Sequence, residues 1–247
     1  MNTSLPWPTQ RAIREGMPFS AVVDADGVHN PKTGGFHVVQ DAIDAGHKSI
    51  FVRDGNYPAF AIDVPGVTIV GESWDVVVGS VIAQTNHAIL ISAANCSVSN
   101  LQCYTTPGLD NDFDGVNVTS AGTYTLLDRL YISKSDRRGI NASAQHIFVQ
   151  NCHISTCDDR GIYYDGLYGR ISNNTFGSCG GAGIGFDSGI ADNSIAIGNF
   201  CVSNTGWGLI VDANSNNCIA VGNRLLANTA GNESDSSGTS TMHNETT

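Results

Sequence analysis

The chain has 247 residues, only 14% of them charged, and a formal net charge of −11. A negative chain whose few cations form no stripe or groove repels nucleic acid and anionic lipid, so neither is an expected partner. No run of about 18 apolar residues is present to insert into a membrane, and a mean hydropathy of −0.07 fits one domain with a long, narrow core.

Residues 1–20 are polar and proline-bearing and read as an N-terminal arm. The opening Met1-Asn-Thr-Ser-Leu-Pro-Trp-Pro lacks the basic and apolar regions of a secretory signal. Between Gly35 and Gly46, the residues Phe36, Val39, Ala42 and Ile43 fall on one face at helical spacing, and Gly46 supplies a stop. This predicts a short helix suited to covering the open end of a stack of strands. Ser49-Ile-Phe-Val-Arg-Asp-Gly-Asn-Tyr57 and Val67-Thr-Ile-Val-Gly-Glu72 read as the first coils.

A motif then returns five times: Gly115-Val-Asn-Val, Gly139-Ile-Asn-Ala, Gly161-Ile-Tyr-Tyr, Gly183-Ile-Gly-Phe and Gly208-Leu-Ile-Val. The steps between these glycines are 24, 22, 22 and 25 residues, a period that belongs to a solenoid. A second segment alternates its apolar residues before an asparagine: Ile147/Val149/Asn151, Ile195/Ile197/Asn199 and Ile219/Val221/Asn223. Alternation of period two means short strands with one face inward. The asparagines are expected to stack as a ladder, interrupted at Arg129, which distorts its coil or turns outward. A third segment supplies Cys103, Ile132, Ile154, Phe176, Val202 and Leu226. Three strands per coil give three parallel sheets over 21–231, about eight coils in all. The polar stretch 232–247 is expected to be a disordered tail.

The seven cysteines contain no CxxC pair and read as apolar thiols of the core. Cys157 and Cys179 both stand four residues before a repeat glycine, within disulfide reach across adjacent coils, and are expected to stay reduced.

Asp24-Ala-Asp-Gly27, Val38-Val-Gln-Asp-Ala-Ile-Asp-Ala45, Ile50-Phe-Val-Arg-Asp-Gly-Asn-Tyr57 and Val67-Thr-Ile-Val-Gly71 resemble the opening of the pectate-lyase-like superfamily. That resemblance implies a right-handed, single-stranded parallel β-helix with a short N-terminal capping helix. The superfamily holds lyases, hydrolases, esterases, epimerases, phage tailspikes and inert virion proteins, so it fixes a fold and leaves the activity open.

Candidate chemistry gathers before the repeat glycines, in Asp112-Phe-Asp114, Asp136-Arg-Arg138 and Asp158-Asp-Arg160. Asp112, Asp136 and Asp158 share a coil offset and are expected to stack about 4.8 Å apart. Such a row can bind Ca²⁺ through hard oxygens. It can supply acid and base for glycoside hydrolysis, or stand as an ion-pair ladder neutralised by Arg137, Arg138 and Arg160. Asp158-Asp159 resembles the paired aspartates of polygalacturonase-type hydrolases, without their Gly-His-Gly or Arg-Ile-Lys; the resemblance to lyase-type members implies Arg137, Arg138 or Arg160 as base. A second column, Asp165, Asp187 and Asp212, reads as turn aspartates capping backbone donors. Tyr163 and Trp207, with Tyr164, Tyr168 and Phe186, are candidate sugar-stacking faces.

Three functional classes follow. One is a non-enzymatic virion protein, a decoration or tail-associated subunit, trimeric, made in the cytoplasm, released with the particle, and bound to other virion subunits and to polysaccharide. Another is a polysaccharide lyase or glycoside hydrolase using the Asp/Arg row. The third is a glycan-binding module without turnover, whose binding depends on Trp207.

Overall fold

A computed structural model of the protein describes residues 19–27, 34–79, 86–105, 112–187 and 191–246. The arm expected over 1–20 lies almost wholly outside the described residues. The strands form three parallel ladders, each coil contributing one strand to each, over about seven turns. Ladder A runs from Ala21–Val23 and Ser49–Val52 through Leu126–Asp128, Phe148–Gln150 and Arg170–Ser172 to Ile195–Ile197. Ladder B runs from Gly55–Tyr57 through Tyr131–Ser133, His153–Ser155 and Thr175–Gly177 to Phe200–Val202. Ladder C contains Phe60–Ile62, Ile89–Ile91, Val116–Val118, Ile140–Ala142, Ile162–Tyr164, Ile184–Phe186 and Trp207–Val211. The strand Ile219–Leu226 serves A with its first half and B with its second.

The helix forms over Val39–Asp44, burying Val39, Ala42 and Ile43, and Gly46 adopts φ +84° beyond its end. The sequence-predicted cap is therefore present. In ladder C both flanking residues of each strand point inward, so Val116, Val118, Ile140, Ile162, Tyr164 and Phe186 are fully buried. This places two of the proposed sugar-stacking faces, Tyr164 and Phe186, inside the core.

Each coil turns three corners, and in the central coils a residue in the left-handed region stands at each. Asn100, Arg129, Asn151 and Asn173 hold the corner from A to B, and Lys134, Thr156, Ser178 and Ser203 the start of the corner from B to C. Asn95, Tyr124, His146, Tyr168, Asn193 and Asn217 hold the corner from C to A. Arg129 turns outward with its side chain 58% exposed, bonded to Asp128 at 3.0 Å, and the coil is not broken.

The last coils differ from the alternation expected in them. Arg170 pairs with Ile195 and Ile171 with Ala196, so Ala196 and Ala220 point inward while Ile195, Ile197, Ile219 and Val221 line the outside. On ladder B the inward residues are Cys201 and Leu225, with Val202 and Leu226 partly exposed. Period two cannot by itself fix phase, and a slip of one residue exchanges the two faces. The phase is fixed by buried amides: Asn174 Nδ2 donates to Asn199 Oδ1 at 3.0 Å, Asn199 Nδ2 to Asn223 Oδ1 at 2.9 Å, and Asn223 Nδ2 to Asn244 Oδ1 at 2.8 Å. Asn151 and Asn173 are not members of this ladder; they are exposed corner residues.

The polar segment expected as a tail continues the solenoid. Gly231–Asp235 pairs with ladder C and Thr241–Glu245 with ladder A, because backbone rungs and asparagine amides extend the stack without apolar side chains. All seven cysteines are buried free thiols; Cys157 Sγ donates to Ser155 O at 3.8 Å and Cys179 Sγ to Gly177 O at 3.6 Å.

Candidate functional site

The corner leading into ladder C is registered by its own backbone rungs. Arg137 N–H donates to Phe113 O at 3.1 Å, Asp159 N–H to Arg137 O at 2.7 Å, and Gly181 N–H to Asp159 O at 2.7 Å. The repeat glycine that follows is dictated by contact. At Gly161 a Cβ would meet Phe176 Cδ1 at 2.6 Å and Gly183 O at 2.7 Å, so no side chain fits between the coils. Asp112, Asp136 and Asp158 accordingly occupy equivalent corner positions. Asp112 and Asp158 are exposed, and Asp136 Oδ2 accepts from Phe113 N–H at 3.4 Å. Among the described residues no three His, Cys, Asp or Glu side chains gather to hold a metal.

The arginines choose partners diagonally across coils. Arg137 makes a two-pronged contact with the fully buried Asp114, Nε to Oδ1 at 2.9 Å and Nη2 to Oδ2 at 2.7 Å. Asp114 backbone N–H donates to His87 Nδ1 at 2.9 Å, and burial holds His87 below its ordinary pKa, aided by the Arg137 charge and opposed by Asp114. Arg138 donates to Asp159 Oδ2 at 3.1 Å and to Asn141 Oδ1 at 3.0 Å, and its guanidinium lies 3.7 Å from the Tyr163 ring centre. Such a stack is preferred by the planar, weakly hydrated guanidinium. Arg160 crosses the outer face of ladder C to reach Asp187, with Nη2 3.1 Å from Oδ2. Gly185 opens that path, since a Cβ there would lie 2.6 Å from Asp187 Oδ2 and 3.0 Å from Arg160 Cδ.

Asp165 and Asp187, read from sequence as turn residues, prove to be part of this cluster. Asp165 Oδ1 is buried without a hydrogen-bond partner, and Asp187 Oδ2 faces Arg160 without an aligned N–H. Burial raises both carboxyls above the ordinary range: Asp187 adds to the rise at Asp165 while Arg138 opposes it, and at Asp187 the Arg160 charge is the main opposition. Their sequence signal was the shared offset after Gly161 and Gly183; the lack of bonding partners was not legible. With Arg137, Arg138 and Arg160 ion-paired to Asp114, Asp159 and Asp187, the cluster also offers carboxyl oxygens able to accept from hydroxyl groups and, when protonated, to donate. Of the predicted aromatics, Tyr163 joins the cluster, half-buried under Arg138, whereas Trp207 stands two coils further along, packed over Gly231.

Residues 65–225 match the family model described as the right-handed beta helix region. The chain belongs to this right-handed β-helix family. Among solved structures this β-helix is similar to the periplasmic alginate epimerase AlgG, at 13% identity and TM-score 0.60, over 85% of this chain and 53% of that one. It is similar to tailspike protein 2 of bacteriophage CBA120, at 14% identity and TM-score 0.65, over 91% of this chain and 42% of that one. A third is PfbA, a surface adhesin of Streptococcus pneumoniae, at 12% identity and TM-score 0.57, over 84% and 62%. The chain spans about half the length of these structures, and the likeness is one of fold. No curated protein matches this β-helix in sequence.

Proposed function

We propose that the protein binds neutral polysaccharide along the outer face of ladder C, as a non-catalytic decoration or tail-associated subunit of a phage particle. The observation that carries the glycan reading is the Asp165/Asp187 pair, two carboxyls on adjacent coils with buried oxygens left unbonded beside Arg138, Arg160 and Tyr163. Unpaired buried acceptors are costly, and ligand hydroxyls are the groups that satisfy them. The fold likeness to a phage tailspike and a bacterial surface adhesin supports the same reading and its particle setting. A polyuronate is the poorer ligand: the three arginines are already ion-paired to Asp114, Asp159 and Asp187, Asp165 adds a further carboxyl, and the whole chain is at −11.

An array of neutral and acidic glycans tests this. Neutral chains are retained, acidic ones are not, and Arg160→Ala, which removes the cation that holds the Asp187 carboxyl in place, weakens retention about tenfold, the scale of one charge-assisted bond. Retention confined to acidic glycans would sink the ligand class. The virion role predicts co-sedimentation with particles and a trimer in solution; a monomer found only in the particle-free fraction removes it. A second reading, cleavage of the bound chain, is favoured by the raised carboxyls, since a protonated acid is what glycoside cleavage needs. It requires release of reducing ends that Asp187→Asn abolishes.

A further inference from the structure

The corner from ladder C to ladder A carries an aromatic column that the cluster above does not use. Its backbone rungs are continuous: Asn95 N–H donates to Thr123 O at 2.8 Å, Tyr124 to Gln145 O at 3.1 Å, His146 to Leu167 O at 2.9 Å, Tyr168 to Asp192 O at 3.1 Å, and Asn193 to Asn216 O at 2.9 Å. The corner residues therefore stand one per coil in a single file. Tyr124 stacks on His146 with ring centres 4.6 Å apart and planes 4° from parallel, and His146 on Tyr168 at 5.0 Å and 12°. The two tyrosines enclose the imidazole yet remain 54% and 48% exposed, so their outer flanks face water.

The backbone gives no reason for aromatics here. Tyr124, His146 and Tyr168 adopt φ of 58°, 55° and 60°, the left-handed region, where bulky side chains are strained and asparagine is tolerated best. Asparagine is what the same file uses at 95, 193 and 217, and the other two corners fill the left-handed position with Asn, Asp, Gly, Ser, Lys, Thr, Ala or Arg. Among the described residues, aromatic side chains take this strained position only in this file. Strain held in place, paired with an exposed apolar surface, is a signature of a binding element. Mutual stacking offsets part of the strain, but three asparagines would avoid it altogether.

We infer that the Tyr124–His146–Tyr168 file is a second glycan contact, in which C–H faces of sugar rings pack on the outer tyrosine flanks and the exposed amides of Asn95 and Asn193 bond ring hydroxyls. The combination of flat aromatic surface with a few polar groups at its margin is the composition of small-ligand sites, and the flanking amides favour a hydroxylated ligand over an apolar one. This rests on the glycan-binding reading but on none of the ladder C residues.

The test is the double variant Tyr124→Asn/Tyr168→Asn, assayed on an immobilised glycan array beside the native protein and Arg160→Ala, with the thermal midpoint of each. Asparagine suits the left-handed backbone, so the midpoint is expected to hold or rise while retention of the best-bound glycan falls at least tenfold. A lowered midpoint with native retention makes the file a structural staple and overturns the inference. Loss in Arg160→Ala with full retention in the asparagine variant leaves ladder C as the site and removes the file; the reverse result removes ladder C and keeps the file. Loss in both variants supports both contacts, and a native protein that retains no glycan of the array overturns both.

Discussion

Asp114 and Asp112 stand two residues apart, and only the structure shows which of them an arginine needs. The sequence displays acidic and basic residues at one coil offset, which correctly places them at a corner. It does not display that Arg137 reaches back to Asp114, Arg138 forward to Asp159, and Arg160 across Gly185 to Asp187. Side-chain reach between coils depends on rotamer and on the space a glycine leaves, and neither has a period. The same holds for Asp165 and Asp187, whose offset was visible and whose burial was not. Their raised carboxyls make a pH prediction. An acid whose folded-state pKa lies above its unfolded value contributes stability that is present below the ordinary carboxylate range and lost as pH rises through the elevated folded pKa. Asp165→Asn should therefore gain on the native protein as pH rises across that window, read as a urea midpoint difference that widens in the variant's favour from acid to neutral pH. A difference that shrinks or stays constant removes Asp165 from the list of strained acids.

At the scale of the strand, the repeat glycines and the alternation gave the ladders, and the asparagines gave their phase only in part. Ile195/Ile197 and Ile219/Val221 look like an inward pair because they are the larger apolar residues, yet Ala196 and Ala220 occupy the core side. The deciding residue is the one after the corner. Asn199 Nδ2 donates to Ile171 O at 2.9 Å and to Asn223 Oδ1 at 2.9 Å, while its own oxygen accepts from Asn174 N–H and Nδ2, both at 3.0 Å. Reversing the strand would bury aliphatics but strand all of these groups, each worth about 1–3 kcal/mol when left unmade. Asn199→Ala is expected to cost about 2–4 kcal/mol in urea unfolding, because it leaves Ile171 O and Asn174 N–H unsatisfied in the core and breaks the amide chain to Asn223. A loss under about 0.5 kcal/mol, the scale of an ordinary surface change, would show that the amides follow the register rather than set it.

For the molecule as a whole, the period was enough to announce a stack of coils, and the count of about eight came close to the turns observed. That the stack continues through 231–245 was not legible, since this stretch carries almost no apolar signal and joins through backbone rungs and Asn244. A solenoid is held by nearest-neighbour contacts, so its stability varies along its length. Native-state hydrogen exchange should find the slowest amides in strands flanked on both sides, such as Val149, Ile154 and Ile162, and the fastest in Gly231–Asp235 and Thr241–Glu245. Uniform protection from coil to coil would mean that the stack opens only as one unit.

The direction of the interstrand bonds decides how this protein bears force. All rungs of the three ladders point along the long axis while the strands run across it, and the last coil has a described neighbour on one side only. Tension along the axis unfastens rungs one coil at a time, whereas a sideways tug must shear many rungs together. The barrel is tough in girth and weak along its axis, so a durable mooring is one made through its flanks.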